Sequence, residues 1–194
     1  MNVVDSQIKK IKKELLKKMK TIYSERLSLQ EVSQKDAESL FHIWSNPEIT
    51  KFMNIPAMTR VNQASDMIQL FESLSQEKKG NRFTISLTET KTVIGSCGFN
   101  YLDYENDRGE IGYELDKEYW GQGYMTEALK TLIHLGFSEF ALNRIEAKVE
   151  PENVASQYVL KKIGCKEEGL LRQYEKAKGT YIDLIMFSVL RENL

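Results

Sequence analysis

The sequence predicts an α/β fold of the mixed kind, one mostly antiparallel sheet with a single parallel pair and helices packed on its faces, and three observations point there. Runs of period-two alternation and runs of three- and four-residue apolar spacing succeed one another along the chain. Three strand-like runs between Arg82 and Leu115 are separated by turns short enough for an antiparallel meander. A strand, a helix and another strand then follow between 108 and 150, an order that needs a crossover and sets two strands parallel. No repeat or low-complexity linker divides the 194 residues, and with 41% hydrophobic and 28% charged content one domain can bury a sizeable core.

The elements follow in order. Residues 1–22 carry seven lysines against Asp5 and Glu14, a net +5, which leaves −6 on the rest of the chain. Ile8, Ile11, Leu15, Met19 and Ile22 recur at helical spacing, so this segment is predicted as a basic amphipathic helix packed on its own domain or on a partner subunit, in preference to an RNA or membrane tether. Residues 23–194 make the predicted domain. "ERLSLQEV" alternates as a half-buried strand, and Ser33 with Asp36 forms a capping-box-like start for a helix through "DAESLFHIWS" that stops before Pro47. The stretch "NPEITKFMNIPAMT" reads as irregular, and Ala64, Ile68, Phe71 and Leu74 then mark a helix ending near Gly80.

"RFTISLT", "TVIGSCGFNYL" and "RGEIGYEL" are the meander strands. Leu129, Leu132, Ile133, Leu135 and Gly136 lie on the next helix, and "NRIEAKVE" is the strand after it. A helix over "NVASQYVLKKIG" ends at Gly164, and "CKEEGLLRQYE" and "TYIDLIMFSVL" close the chain as two strands around a glycine-containing turn.

Composition removes several functions. A net charge of −1 gives no overall field for nucleic acid or an anionic membrane, so any such contact is local to the basic segment. No apolar run reaches the roughly 18 residues that span a bilayer, and the start lacks the apolar core of a signal peptide. Cys97 and Cys165 form no CxxC pair, so a reducing, cytoplasmic setting is expected. His42 and His134 stand alone, one in each of two helices, and no cluster has metal-ligand spacing, so no metal is expected.

The chemistry concentrates in "ELDKEYWGQGYMTEALK", where Gly121 and Gly123 sit between a strand and a helix. Such a loop brings backbone amides close to a ligand at the positive end of a helix, which suits a phosphate, although the same glycines also serve a plain tight turn. A Walker loop would need a lysine after the second glycine, where Tyr124 stands; a dinucleotide fingerprint would need Gly or Ala at Thr126.

The run "EIGYELDKEYWGQGYMTEALKTLIHLGF", followed by "NRIEAKVEPENVASQYVLKKIGC", resembles the GNAT family of N-acetyltransferases, and within it the bacterial ribosomal-protein N-terminal acetyltransferases. The resemblance extends from about Glu25 to Asn193, leaving out the basic segment. It implies a sheet of about seven strands with helices on both faces and a splayed parallel pair. It also implies acetyl-CoA as co-substrate. Its pyrophosphate loop maps onto Glu118, Gly121 and Gly123, Glu118 departing from the family's usual glutamine or arginine, and the amides of Gln122, Gly123, Tyr124, Met125 and Thr126 are then the expected cradle. The backbone near Glu114 and Leu115 is expected to meet the pantetheine and thioester, with a bulge or close packing at Gly112 in "EIGYEL".

Acetyl transfer needs a neutral amine, a polarised carbonyl and a proton for the leaving thiolate. Many relatives supply that proton from a tyrosine seven residues after an asparagine of the second loop. Asn153 matches the asparagine, but Leu160 occupies the tyrosine position. The resemblance instead implies Ser156 at the thiol and Glu175 as the base, with Glu110 acting through water as the second candidate and Tyr158 as a further hydroxyl. Asn153 is expected to bond the cofactor or simply to begin its helix. Asp183 falls where relatives carry an acid in the last strand and has no assigned role.

Cys97 and Cys165 read as small core residues rather than acyl-carrying nucleophiles, so direct attack is expected. The acceptor implied is a protein α-amine; a small amine, or an acyl-CoA-binding module without catalysis, are the alternatives. Trp44, Phe52, Met53 and Tyr174 are candidates for lining its cleft, and a homodimer through the last strand or the basic helix is plausible.

Overall fold

Strands form wherever the alternation was read, and one forms where helical spacing had been read. The structure, a computed structural model, describes residues 21–193. Thr21–Tyr23 (β1) pairs antiparallel with Leu27–Glu31 (β2), so Ile22 stands in a strand rather than at the end of the predicted basic helix. The reason is packing: Ile22 lies against the main core. The rest of that predicted helix lies outside the described residues. The other strands are Asn81–Leu87 (β3), Val93–Asp103 (β4), Arg108–Leu115 (β5), Arg144–Val149 (β6), Lys166–Ala177 (β7) and Thr180–Leu190 (β8). With β1 the sheet has eight strands, in the order β1-β2-β3-β4-β5-β6-β8-β7, against about seven expected. Among the described residues, only β5 and β6 pair in parallel.

The helices are Ala37–Trp44 (α1), Pro47–Thr50 (α2), Val61–Gln76 (α3), Tyr124–Ser138 (α4) and Val154–Lys162 (α5), with a 3-10 turn at Gln34–Asp36. The Asp36 carboxylate accepts the Ser33 amide at 2.9 Å and its hydroxyl at 3.1 Å, the predicted start signal. The stretch expected to be irregular contains one helical turn. Asn46 caps it by accepting the Glu48 amide at 2.9 Å, and Pro47 takes the first-turn place where its missing N–H costs nothing.

Two cores flank the sheet. Leu27, Leu29, Ile85, Ile94, Cys97, Phe99 and Ile111 meet α4 and α5 through Ala128, Leu129, Leu132 and Leu160. A smaller core joins α1 and α3 through Leu40, Ile43, Trp44, Ala64 and Ile68. Strand β5 serves both sides because its residues alternate. Ile111, Tyr113 and Leu115 face the α4 and α5 side. Glu110 and Glu114 face the other.

The parallel pair is short, with Arg108, Gly109 and Glu110 opposite Arg144, Ile145 and Glu146; beyond those residues the strands part. The bulge expected in β5 is instead in β4, where Asn100 has no partner between the Phe99–Ile111 and Tyr101–Glu110 pairs. Gly112 marks close packing, since a Cβ there would lie 2.4 Å from Asn100 Nδ2. The Asn100 side chain occupies the space that any larger residue at 112 would need.

Candidate active site

The glycine loop has the geometry its composition implies. Gly121 and Gly123 take φ of 73° and 83°, the left-handed region open to glycine, and Gly123 caps α4. Among the described residues, the amides of Gln122, Gly123, Tyr124, Met125 and Thr126 donate to no protein acceptor. They sit at the positive end of a four-turn helix, which favours an anion. Glu118 lies in the 3-10 turn before the loop, and its carbonyl accepts from Gln122 Nε2 at 2.8 Å.

Arg26 fixes the loop, and the sequence reading had missed it. Its Nε donates to Glu127 at 2.7 Å, its Nη1 donates to the Gln122 carbonyl at 3.2 Å, and its guanidinium lies 4.3 Å from the centre of the Tyr124 ring. The Arg26 amide and Ser24 hydroxyl also donate to Glu127, each at 2.7 Å. Burial works to raise the Glu127 carboxyl, but these bonds outweigh it and hold the group below its usual range. The signal was the basic residue within "ERLSL", which only the tertiary fold connects to a position about 100 residues on. Trp120 ties the other flank, donating from its indole to the Leu115 carbonyl at 2.8 Å.

Where β5 and β6 part, a cleft of about 960 Å³ opens, lined by residues of the glycine loop, α5 and both strands. Leu115, Gly121, Gly123, Tyr124, Met125, Thr126, Asn153, Ser156, Glu110 and Glu175 all border it. The Asn153 side chain accepts the Ser156 amide at 3.1 Å and so caps α5. Ser156 Oγ shares a 2.5 Å hydrogen bond with the hydroxyl of Tyr113, which reaches it from β5. Leu160, in the position where a tyrosine was sought, is fully buried in the main core. Tyr158 is 65% exposed at the rim.

The opposite half of the cleft is held by side chains. Glu114 is buried and accepts from Trp44 Nε1 at 3.0 Å, from Ser96 and from Arg82, while the Arg82 guanidinium lies 5.3 Å from the Phe71 ring centre. Trp44 borders the cleft with its polar edge committed to that carboxylate. Glu110 pairs with Lys148 Nζ at 2.7 Å, and Tyr174 stacks under the same ammonium at 4.8 Å. Burial pulls the Lys148 ammonium down, but the Glu110 bond and Tyr174 leave it above its usual value.

Glu175 accepts from Asn54 Nδ2. Immediately before it, β7 leaves register between Leu171 and Glu175, and Asp183 secures that irregularity by accepting the Gln173 amide at 2.7 Å. The residue left without a role in the sequence therefore sets the approach to Glu175. Nearby Lys178 donates to the carbonyls of Thr50 and Lys51 at 2.8 and 3.0 Å, so the 47–58 segment is strapped to the β7–β8 hairpin. Phe52 and Met53 border the cleft beneath this strap.

Both cysteines are buried. Burial pushes the Cys97 thiol up to about 12 and the Cys165 thiol up to about 11, the reverse of what an acyl-accepting thiolate needs.

The chain matches the acetyltransferase (GNAT) domain family over residues 26–166. The uncharacterized N-acetyltransferase p20 of Bacillus licheniformis is 53% identical over 173 residues, 89% of this chain and 97% of its own length. The chain belongs to the GNAT acetyltransferase family. This acetyltransferase is 34% identical over 96 residues to the ribosomal-protein-serine acetyltransferase of Escherichia coli, a match across 50% of this chain and 54% of that one. Its fold superposes on the ribosomal alpha-N-protein acetyltransferase RimL, solved in complex with coenzyme A, with a TM-score of 0.81 at 23% identity, covering 88% of this chain and 97% of that one. It is thus an acyl-CoA-dependent N-acetyltransferase related to the ribosomal-protein acetyltransferases.

Proposed function

We propose that this acetyltransferase transfers the acetyl group of acetyl-CoA to a protein α-amino group by direct attack. The observation that carries the reading is the continuity of one cleft from the unpartnered amides of the glycine loop, through the gap between β5 and β6, to Glu110 and Glu175. The residues fit a pyrophosphate: the loop presents main-chain donors at a helix N-terminus, and no protein acceptor competes for them among the described residues. Gly121, Gln122, Gly123, Tyr124, Met125 and Thr126 would hold acetyl-CoA by its phosphates, Leu115 and Asn153 would flank its arm, and when bound it supplies an activated acyl group.

Ser156 supplies the proton for the leaving sulfur. Glu175 removes a proton from the amine, directly or through water, and Glu110 is the second carboxylate in reach of that role. The buried, raised thiols support direct attack over a relay through cysteine. An α-amine is favoured by the likeness to the ribosomal-protein-serine acetyltransferase, and such an acceptor would place the reaction in the cytoplasm. A small amine is the second reading. It is favoured by the strap from Lys178 to Thr50 and Lys51, which narrows the acceptor side.

The test is calorimetric titration with acetyl-CoA of the unaltered protein and of Gly123→Glu, which should crowd and repel the phosphates. Thiol release is then followed with peptides beginning in serine or alanine and with a small diamine. Binding lost in Gly123→Glu and turnover with a peptide are expected. Equal binding by both proteins would remove the loop from the site, and binding without turnover on any amine would make the protein a non-catalytic acyl-CoA module.

A further inference from the structure

The position that would hold a proton-donating tyrosine is filled by Leu160, yet a phenol still reaches the predicted proton donor. Tyr113 comes from β5 rather than from α5, lies beyond the last residue of β5 paired with β6, and shares the 2.5 Å bond with Ser156. Both residues border the cleft. Ser156 is held from its other side as well, because Asn153 accepts its amide at 3.1 Å.

We propose that Tyr113 is a positioning residue for acetyl transfer: its hydroxyl donates to Ser156 Oγ, so that the proton of Ser156 is left to point at the leaving sulfur. The proposal rests on the reading of Ser156 as the proton donor. A serine hydroxyl has one proton and two acceptor sites. If Ser156 donated to Tyr113, it would have nothing to offer the sulfur; with Tyr113 as donor, that direction is closed and the proton is free.

The step balances as follows. The amine nitrogen forms the C–N bond with its lone pair, and the C–S pair departs on sulfur. Sulfur takes the Ser156 proton, and the phenol bonds to the developing alkoxide. The proton that Glu175 takes from the amine passes to solvent, and Ser156 recovers one from solvent, so the protein ends with the protons it began with. Burial holds the Tyr113 phenol above its usual value, and although the Ser156 bond pulls the other way, the group stays protonated at neutral pH.

The experiment is a double-mutant cycle of Tyr113→Phe, Ser156→Ala and both together, read in kcat with the best acceptor from the amines above. Acetyl-CoA affinity is measured by calorimetry and folding by thermal melting. Each single change is expected to lower kcat about 100-fold, as loss of general-acid help does, and the double variant to fall little further. Acetyl-CoA affinity and melting should stay near those of the unaltered protein. In the protein without ligand, the phenolic-carbon NMR signal of Tyr113 should move in Ser156→Ala, a readout independent of turnover.

Full kcat in Tyr113→Phe beside a damaged Ser156→Ala would overturn the proposal, as would losses that multiply. Early melting or lost acetyl-CoA binding in Tyr113→Phe would make the phenol a structural residue and also overturn it. Full kcat in Ser156→Ala would instead remove the underlying reading of the serine, a result distinct from failure of Tyr113 alone.

Discussion

The two halves of the cleft are built by different means. On the α4 and α5 side the unpartnered groups are backbone amides, exposed by two glycines and one helix start, and side chains serve mainly to brace them. On the α1 and α3 side the same strand, β5, presents carboxylates whose settings depend on partners far away in the chain: Trp44, Arg82 and Ser96 for Glu114, and Lys148 for Glu110. A main-chain site tolerates many side chains but few backbone changes. A side-chain site is the reverse, which suits the proposed division into a half that holds a fixed donor and a half that selects an acceptor.

Four changes would break or sharpen that contrast. The largest effect is expected from Glu114→Ala, which strands the buried Arg82 charge and should cost about 3–5 kcal/mol in chemical denaturation. Adding Arg82→Met should recover most of that loss, and failure to recover it would mean that the network carries more than charge pairing. Next is Glu175→Gln, expected to lower kcat about 100-fold while leaving acetyl-CoA affinity unchanged in calorimetry. A change in affinity would show that the halves are not separable.

Gly121→Ala follows. No atom lies within 4 Å of a Cβ at that position. The expected penalty of about 1–2 kcal/mol is therefore purely conformational, read as lower stability or weaker acetyl-CoA binding.

The smallest is Glu168→Gln, outside both halves, and it serves as the baseline. Glu168 is held from its usual 4.5 down to about 2, first by Arg144 and then by Ser188. A depressed carboxyl contributes stability above pH 4.5 that is lost as pH falls toward about 2. The variant should therefore melt slightly below the unaltered protein at pH 6, and the gap should narrow as the pH falls from 4.5 toward about 2. With 41% of the Glu168 side chain exposed, the gap is expected to be small.

The same contrast explains what could be read from the chain alone. The meander, the crossover and the glycine loop were legible because each is encoded by neighbouring stretches of the chain, through alternation, helical spacing or a φ requirement that glycine meets. Ser156 and Asn153 were legible by resemblance, and the structure brings both to the cleft with the carboxylates of Glu110 and Glu175. Tyr113 was not, since it lay inside a strand pattern where aromatic residues are ordinary. Arg26 and the role of Asp183 were also hidden, because their partners Glu127 and Gln173 are joined to them only by tertiary contact and by a strand irregularity. The bulge went to β4 because Asn100, not a glycine, is the extra residue.

The alternation of β5 also bears on how such a chain can drift. A single insertion between Glu110 and Tyr113 would exchange sides, turning the phenol toward the α1 and α3 side and the Glu114 carboxylate toward the α4 and α5 side. Strand β7 has taken up extra length ahead of Glu175, advancing four residues from Leu171 while β8 moves two, from Leu184 to Ile182. Over that step the surplus is an even number, so Glu175 lies on the same side of β7 as Leu171. Length variants among descendants of this chain should accordingly collect in β7 and in its turn, while β5 changes by substitution alone.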